Sequence, residues 1–351
     1  VSNLEDRPDE VTCASSSSAG VEVMTPREVP LGGPRAMHVR RTLPQRHRSL
    51  IGAWCFVDHY GPDEVSASGG MSVAPHPHTG LQTVSWLFSG EIEHRDSAGS
   101  HAIVRPGEVN LMTAGRGISH SEVSTATTTS LHGAQLWVAL PDGDRHVDPG
   151  FAHHAPTPVT GAGWTARVFL GSLLGDTSPV PTYTPLLGAE LLLEPGTTLA
   201  LDVDASFEHG VLLDTGVLAV AGTETKQHDL AYVPPGRDRL ELRAYDAPVR
   251  LLLLGGPPFG ESIVMWWNFV GRTHEEIVAF RAEWQDQVAE RSGSAPDPRA
   301  AGGLVESSAP SERVVPDAQR VRPGRFGIVV GDHLPPIPAP VLPNARLKER
   351  R

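Results

Sequence analysis

Cysteine is nearly missing from this chain of 351 residues: Cys13 and Cys55 are the only two, far apart and outside any CxxC pattern. A disulfide framework and a thiolate metal site are both excluded, and a reducing compartment, the cytoplasm, is expected. Lysine is almost as scarce, with only Lys226 and Lys348 among 29 basic residues. That arginine bias fits the codon usage of a GC-rich genome, and no function is drawn from it. Acidic residues number 41 and the net charge is −12, so general attraction to nucleic acid or to an anionic membrane is not expected. No apolar run approaches the length of a membrane span, and the opening VSNLEDRPDE is acidic where a secretory peptide needs a basic start and an apolar run. What is plentiful is glycine and proline, 36 and 32 residues. Both punctuate strands and weaken helix interiors, which argues against a long helical bundle and for a turn-rich β protein of two domains and a tail.

Residues 1–20, ending in a Ser run, have almost nothing to bury and are expected to be a mobile leader. From Ala36 onward short apolar or alternating runs arrive between Gly, Pro, Asp and Ser, a rhythm that predicts antiparallel strands over 21–140. The loop-forming stretch 141–164 reads as a linker, and a second series of strands follows in 165–290. Arg105-Pro-Gly and Pro234-Pro-Gly each set a Pro-Gly corner beside an apolar strand, which indicates a duplicated barrel. The convincing helix starts at Thr273, where T-x-x-E with Glu276 makes a capping box, and Ile277, Phe280, Trp284 and Val288 form its apolar stripe. Residues 291–323 read as a disordered insertion. The Pro-rich 324–351 carries apolar anchors from Phe326 to Pro343 that suit extended docking on a groove.

In an extended strand residues i and i+2 face the same way, so His76 and His78 of PHPHT point into one space, as do His120 and Glu122 of GISHSE. The intervening hairpin strands can bring the two pairs side by side on the inner wall of a barrel. Three imidazoles and a carboxylate suit one divalent first-row ion, Fe(II), Mn(II), Ni(II), Co(II), Cu(II) or Zn(II), with coordination positions left for water, substrate or dioxygen. His59, His94, Asp96, His153 and His154 are open to a role behind the ligands or as alternative ligands, with turns and surface preferred, while Cys55 is assigned to the core and Arg35, Arg40, Arg41, Arg46 and Arg48 to a solvated strand edge.

The blocks PHPHTGLQTVSWLFSGEIEHRDSAG and RPGEVNLMTAGRGISHSE closely resemble the signature of the pirins, metal-binding bicupins, and the likeness continues through LHGAQLWVALP and GGPPFGESIVMWWNFVGRTHEEI over roughly 21–290. The block REVPLGGPRAMHVRRTLPQRHRSLIGAWCFVDHYGP looks like the actinobacterial branch. The resemblance implies an all-β fold of two antiparallel cupin barrels with a short C-terminal helix. It also implies one mononuclear metal in the first barrel, expected to be Fe(II), with ligands on His76, His78, His120 and Glu122. Gln82 departs from the pattern, since many pirins place Glu there. A divalent ion beside one carboxylate keeps a formal charge of +1, which favours an anionic enol or phenol. In the second barrel Arg239 stands where a metal cupin offers histidine, and His209 and His228 are isolated, so that half is expected to be metal-free.

Two functions follow from the resemblance. The first is a quercetin 2,3-dioxygenase-like activity on a small aromatic or enolic substrate with dioxygen, with Glu122 as catalytic base. The second is a metal-dependent, redox-sensing regulatory or binding protein without significant turnover, in which the valence of the iron alters a surface used by a protein partner, the Arg35–Arg48 strip being the candidate.

Overall fold

The computed structural model describes residues 20–31, 37–292 and 324–350. Of the expected leader 1–20 and the expected insertion 291–323, residues 1–19 and 293–323 lie outside the described residues, and Arg291 and Ser292 are the last residues of the C-terminal helix. The rest folds as two β units, each built from a seven-stranded and a four-stranded antiparallel sheet.

In the first unit the long sheet runs, in spatial order, Gly150–His154, Val109–Thr113, Leu81–Ser89, Ser130–Ala139, Trp54–Glu64, Met37–Leu43 and Arg27–Leu31. Its short sheet runs Ser72–His78, Ile118–Ser124, Ile92–Asp96 and His101–Val104. The second unit repeats the plan. Its long sheet has Glu22–Met24, Leu230–Val233, Glu208–Thr215, Val249–Gly256, Leu187–Leu193, Trp164–Leu170 and Val159–Gly161, and its short sheet Thr198–Asp202, Arg239–Ala244, Val217–Val220 and Thr223–Lys226.

The burial patterns explain the sequence patterns. Arg239–Ala244 lies in a short sheet with one face in water, and its residues alternate exposed and buried without exception. The run Leu251–Leu254 is apolar throughout because its sheet is covered on both faces. Leu251 and Leu253 pack inside the second barrel, while Leu252 and Leu254 join the core between barrels. That shared core holds Val84, Trp86 and Leu136 from one long sheet and Phe169, Leu212 and Leu252 from the other. Trp86 stacks on Phe169 across the seam with ring centroids 4.6 Å apart. The backbones touch at Gly52, whose φ is +52° and where a Cβ would meet the Gly256 Cα at 2.8 Å.

Two boundaries differ from the sequence reading. Glu22–Met24, expected in the first barrel, pairs with Leu230–Val233 of the second, and Met24 is buried in the shared core. The stretch 141–164 is more than a linker: Gly150–His154 pairs with Val109–Thr113, and Val159–Gly161 with Trp164–Leu170, so it supplies one outer strand to each long sheet. The strands concerned are three to five residues long, too short to show a period in sequence.

The C-terminal helix spans His274–Ser292. Glu276 N–H donates to Thr273 Oγ1 at 3.2 Å, while Glu276 Oε2 accepts from Arg272 N–H at 2.6 Å. Its buried Ile277, Phe280 and Trp284 pack with Phe269 of the hairpin Val264–Gly271 and with Phe326 of the tail. That tail also buries Val329, Ala339 and Leu347. It reaches the first barrel where Ile337 N–H donates to Pro75 O at 2.8 Å and Ser119 Oγ donates to Phe326 O at 2.9 Å.

Candidate metal centre

The site grows from the register of one strand pair. Ser72–His78 and Ile118–Ser124 run antiparallel with His120 opposite His76 and Ile118 opposite His78, so the three histidines share a face. A bulge between His120 and Glu122 sets Glu122 opposite Val73. On its other side Ile118–Ser124 pairs with Ile92–Asp96, placing Asp96 opposite His120 and His94 opposite Glu122. All six of these polar side chains are buried.

One ring nitrogen each of His76, His78 and His120 lies within 4.8 Å of the other two, and His78 Nε2 is 3.1 Å from His120 Nε2. Glu122 falls within the same distance of His94 and His120, so its carboxylate adjoins the trio through His120. Burial pushes His76 down to about 4. Burial and the neighbouring His76 hold His78 well below its ordinary value, and burial with His76 and His78 does the same for His120. The rings are therefore neutral at pH 7 and offer lone pairs, as metal binding requires.

Which nitrogen carries the lone pair follows from the hydrogen bonds. His76 Nδ1–H donates to Ala74 O at 2.8 Å and His78 Nδ1–H donates to Asn268 O at 3.1 Å, leaving Nε2 of each ring as the acceptor. The Asn268 contact depends on Gly80, at φ +67°, where a Cβ would lie 2.3 Å from Val270 O. Only glycine lets the hairpin settle against the strand that carries His78. Trp137 stands edge-on to His78 with centroids 5.2 Å apart and is stacked on Phe56 at 4.0 Å. Burial, followed by the charges of Glu122 and Asp58, keeps the Tyr60 phenol protonated well above its usual range. Inward Nε2 lone pairs, an adjoining carboxylate and an apolar wall fit a borderline divalent ion.

Several expectations need correcting. His94 and Asp96 are buried beside His120 and do not lie at the surface: His94 Nε2 is 3.3 Å from Asp96 Oδ2, and its Nδ1 is 3.4 Å from His120 Nδ1. They form another i,i+2 pair, the same signal that marked His76 and His78. His59 is also buried, and with His132 it faces Asp214 of the second barrel. Arg40 Nε–H donates to His59 Nδ1 at 3.5 Å, so His59 donates through Nε2 to Asp214 Oδ1 at 2.8 Å, and His132 Nε2 meets the same oxygen at 2.6 Å. Through this one oxygen Asp214 clamps the first barrel to the second. The arginine strip is not an open cationic face. Arg41 is buried in a two-pronged ion pair with Asp58 at 2.7 and 2.9 Å, and Arg48 stacks on Tyr232 and pairs with Glu22. Arg35 lies outside the described residues. His153 stays at the surface, bonded to Asn110, and Cys55 is buried. Gln82 donates to Thr113 Oγ1 at 3.0 Å and shares strand parity with Val84 and Trp86, which face the other barrel.

Two antiparallel barrels packed long sheet to long sheet, the first holding a cluster of inward histidines, define a bicupin. Residues 36–138 match the model of the Pirin family and residues 188–289 that of the Pirin C-terminal cupin domain. A Pseudomonas aeruginosa protein named "Putative quercetin 2,3-dioxygenase" is 44% identical over 290 residues, 82% of this chain and 91% of that protein. A crystal structure of quercetin 2,3-dioxygenase from Acinetobacter baumannii superimposes with a TM-score of 0.73 and 38% identity, covering 86% of this chain and 97% of that one. The nickel(II) complex of bacterial pirin YhhW from Escherichia coli shares the fold at TM-score 0.53 and 17% identity, over 68% of this chain and 100% of that one. The chain belongs to the pirin family.

Proposed function

We propose that this pirin is a metal-dependent dioxygenase acting on flavonols or other enediols. The observation that carries the reading is the convergence of three neutral imidazoles, two with Nδ1–H bound to backbone carbonyls, beside a buried carboxylate. The names of its relatives support the same chemistry. His76, His78, His120 and Glu122 would hold one ion, Fe(II) being the first choice among the first-row metals. Such an ion supplies Lewis-acid activation of the enol and an electron path to dioxygen. Glu122 has the second task of taking the proton of the substrate hydroxyl onto its carboxylate, leaving an enolate that the net positive site favours. Trp137, backed by Phe56, walls the site with apolar surface.

The test is to load the protein anaerobically with Fe(II) and follow oxygen uptake and carbon monoxide release against a panel of flavonols and enediols. Metal-dependent turnover is expected, together with loss of bound metal in His78→Ala. A fully loaded protein that oxidises none of the panel would refute the enzyme reading and leave the regulatory one. For that alternative the Arg35–Arg48 strip is a poor surface, because Arg41 and Arg48 are already engaged inside the fold.

A further inference from the structure

We propose that Asp96 and His94 form a relay that fixes the tautomer of His120 and so presents its Nε2 to the metal, and that neither residue is itself a ligand. The inference rests on the metal-centre reading above and adds positioning residues to it. Asp96 Oδ1 is occupied by the amides of Ala98 and Ser100, both at 2.9 Å, in the turn that follows its strand. Asp96 Oδ2 faces His94 Nε2 at 3.3 Å, and a carboxylate only accepts, so Nε2 carries the proton. A neutral imidazole has one N–H, which leaves His94 Nδ1 as an acceptor. That nitrogen faces His120 Nδ1 at 3.4 Å, which must then be the donor. His120 Nε2 is left with the lone pair, and it is this atom that lies 3.1 Å from His78 Nε2.

The same chain of bonds keeps His94 out of the coordination sphere. Both of its nitrogens are engaged, and it meets His120 through Nδ1, the nitrogen on the other side of the ring from His78. Phe151, with its ring centroid 4.8 Å away, packs against the imidazole. His76 and His78 have their tautomers set by backbone carbonyls. His120 lies in mid-strand with its tautomer set by a side chain, so it is the ligand whose orientation can be altered by mutation without touching it.

Asp96→Asn is the decisive variant. Its amide oxygen stays with the two turn amides, because an NH₂ there would face two donors, so the NH₂ group turns to His94. His94 must then accept at Nε2 and donate from Nδ1, which drives the His120 proton onto Nε2, the wrong nitrogen for the metal. Long-range ¹H–¹⁵N correlation of the metal-free protein reads this directly: wild type is expected with His120 protonated on Nδ1 and Asp96→Asn on Nε2. Nickel(II) affinity, measured by chelator competition, is expected to fall about 10–100-fold in Asp96→Asn and in His94→Phe. His94→Gln, whose side-chain oxygen can accept from His120, is expected to recover most of that loss. The thermal midpoint of the metal-free Asp96→Asn protein is expected near wild type, since its turn is intact. Wild-type His120 protonated on Nε2, or unchanged nickel affinity in both Asp96→Asn and His94→Phe, would overturn the relay. Failure of the wild type to bind nickel would overturn the metal centre instead, and the metal-free spectra would still decide the tautomer.

Discussion

Replacing Asp214 by Ala probes the seam between the barrels. Its carboxylate is buried and accepts from His59 at 2.8 Å and His132 at 2.6 Å, with Arg250 Nη1 3.4 Å from the second oxygen. Burial raises the carboxyl pKa, but hydrogen bonds from His132 and His59 outweigh it and hold the group below the usual carboxylate range. Truncation strands two imidazole N–H groups in the interior, each costing about 1–3 kcal/mol when unsatisfied. With the ion-paired guanidinium also released, the expected loss is about 3–5 kcal/mol, the range for removing one partner of a buried charged cluster. Asp214→Asn keeps an oxygen where both imidazoles donate and is expected to lose less than half as much. Urea unfolding at pH 7.5, followed by tryptophan fluorescence, measures both. A loss below about 1 kcal/mol in Asp214→Ala would refute the reasoning, since it would mean that water or rotation satisfies the histidines at little cost.

Three further outcomes are expected. Glu122→Gln, compared at equal bound metal, is expected to lower turnover about 10²–10⁴-fold while substrate affinity changes less; wild-type turnover would show that Glu122 is not the base. Burial lowers His209 to about 4, with Asp204 opposing, so its neutral form stabilises the fold fully above the unfolded value near 6.5 and less as pH falls towards 4. Between pH 6.5 and 5 that group is expected to remove about 2 kcal/mol of stability, and the slope should flatten in His209→Leu urea titrations; an unchanged slope would exclude His209 as the source. Phe326→Ala empties a fully buried site shared by the helix and the hairpin, so about 3–5 kcal/mol is expected in the same assay, and a negligible change would mean that the tail adds nothing to the core.

The parts of the site legible in sequence are those fixed by local geometry. His76 with His78, and His120 with Glu122, stand out because alternation along a strand puts each pair on one face. The helix was legible for a similar reason, since Ile277, Phe280 and Trp284 repeat at helical spacing. His94 and Asp96 have the same spacing as these two pairs, but their place in the site depends on the register of Ile92–Asp96 against Ile118–Ser124, which no local pattern encodes. The clamp is further from view, because His59 and Asp214 are 155 positions apart and meet only when two barrels dock. The place of Glu22–Met24 is hidden in sequence because three residues carry no period and its partner strand, Leu230–Val233, is remote along the chain.

The crossing of Glu22–Met24 into the second barrel also limits how the gene can be divided. A fragment ending in the 141–164 stretch would carry away the strand that covers Leu230–Val233, and with it Met24 from the shared core. Each half would present a wide apolar sheet face to water, and the downstream half would gain an unpaired edge as well, the combination that leads to aggregation. The two barrels thus form one unit of expression despite their repeated plan. Any dissection that aims to keep the metal site should retain the whole stretch from the first strand to the tail.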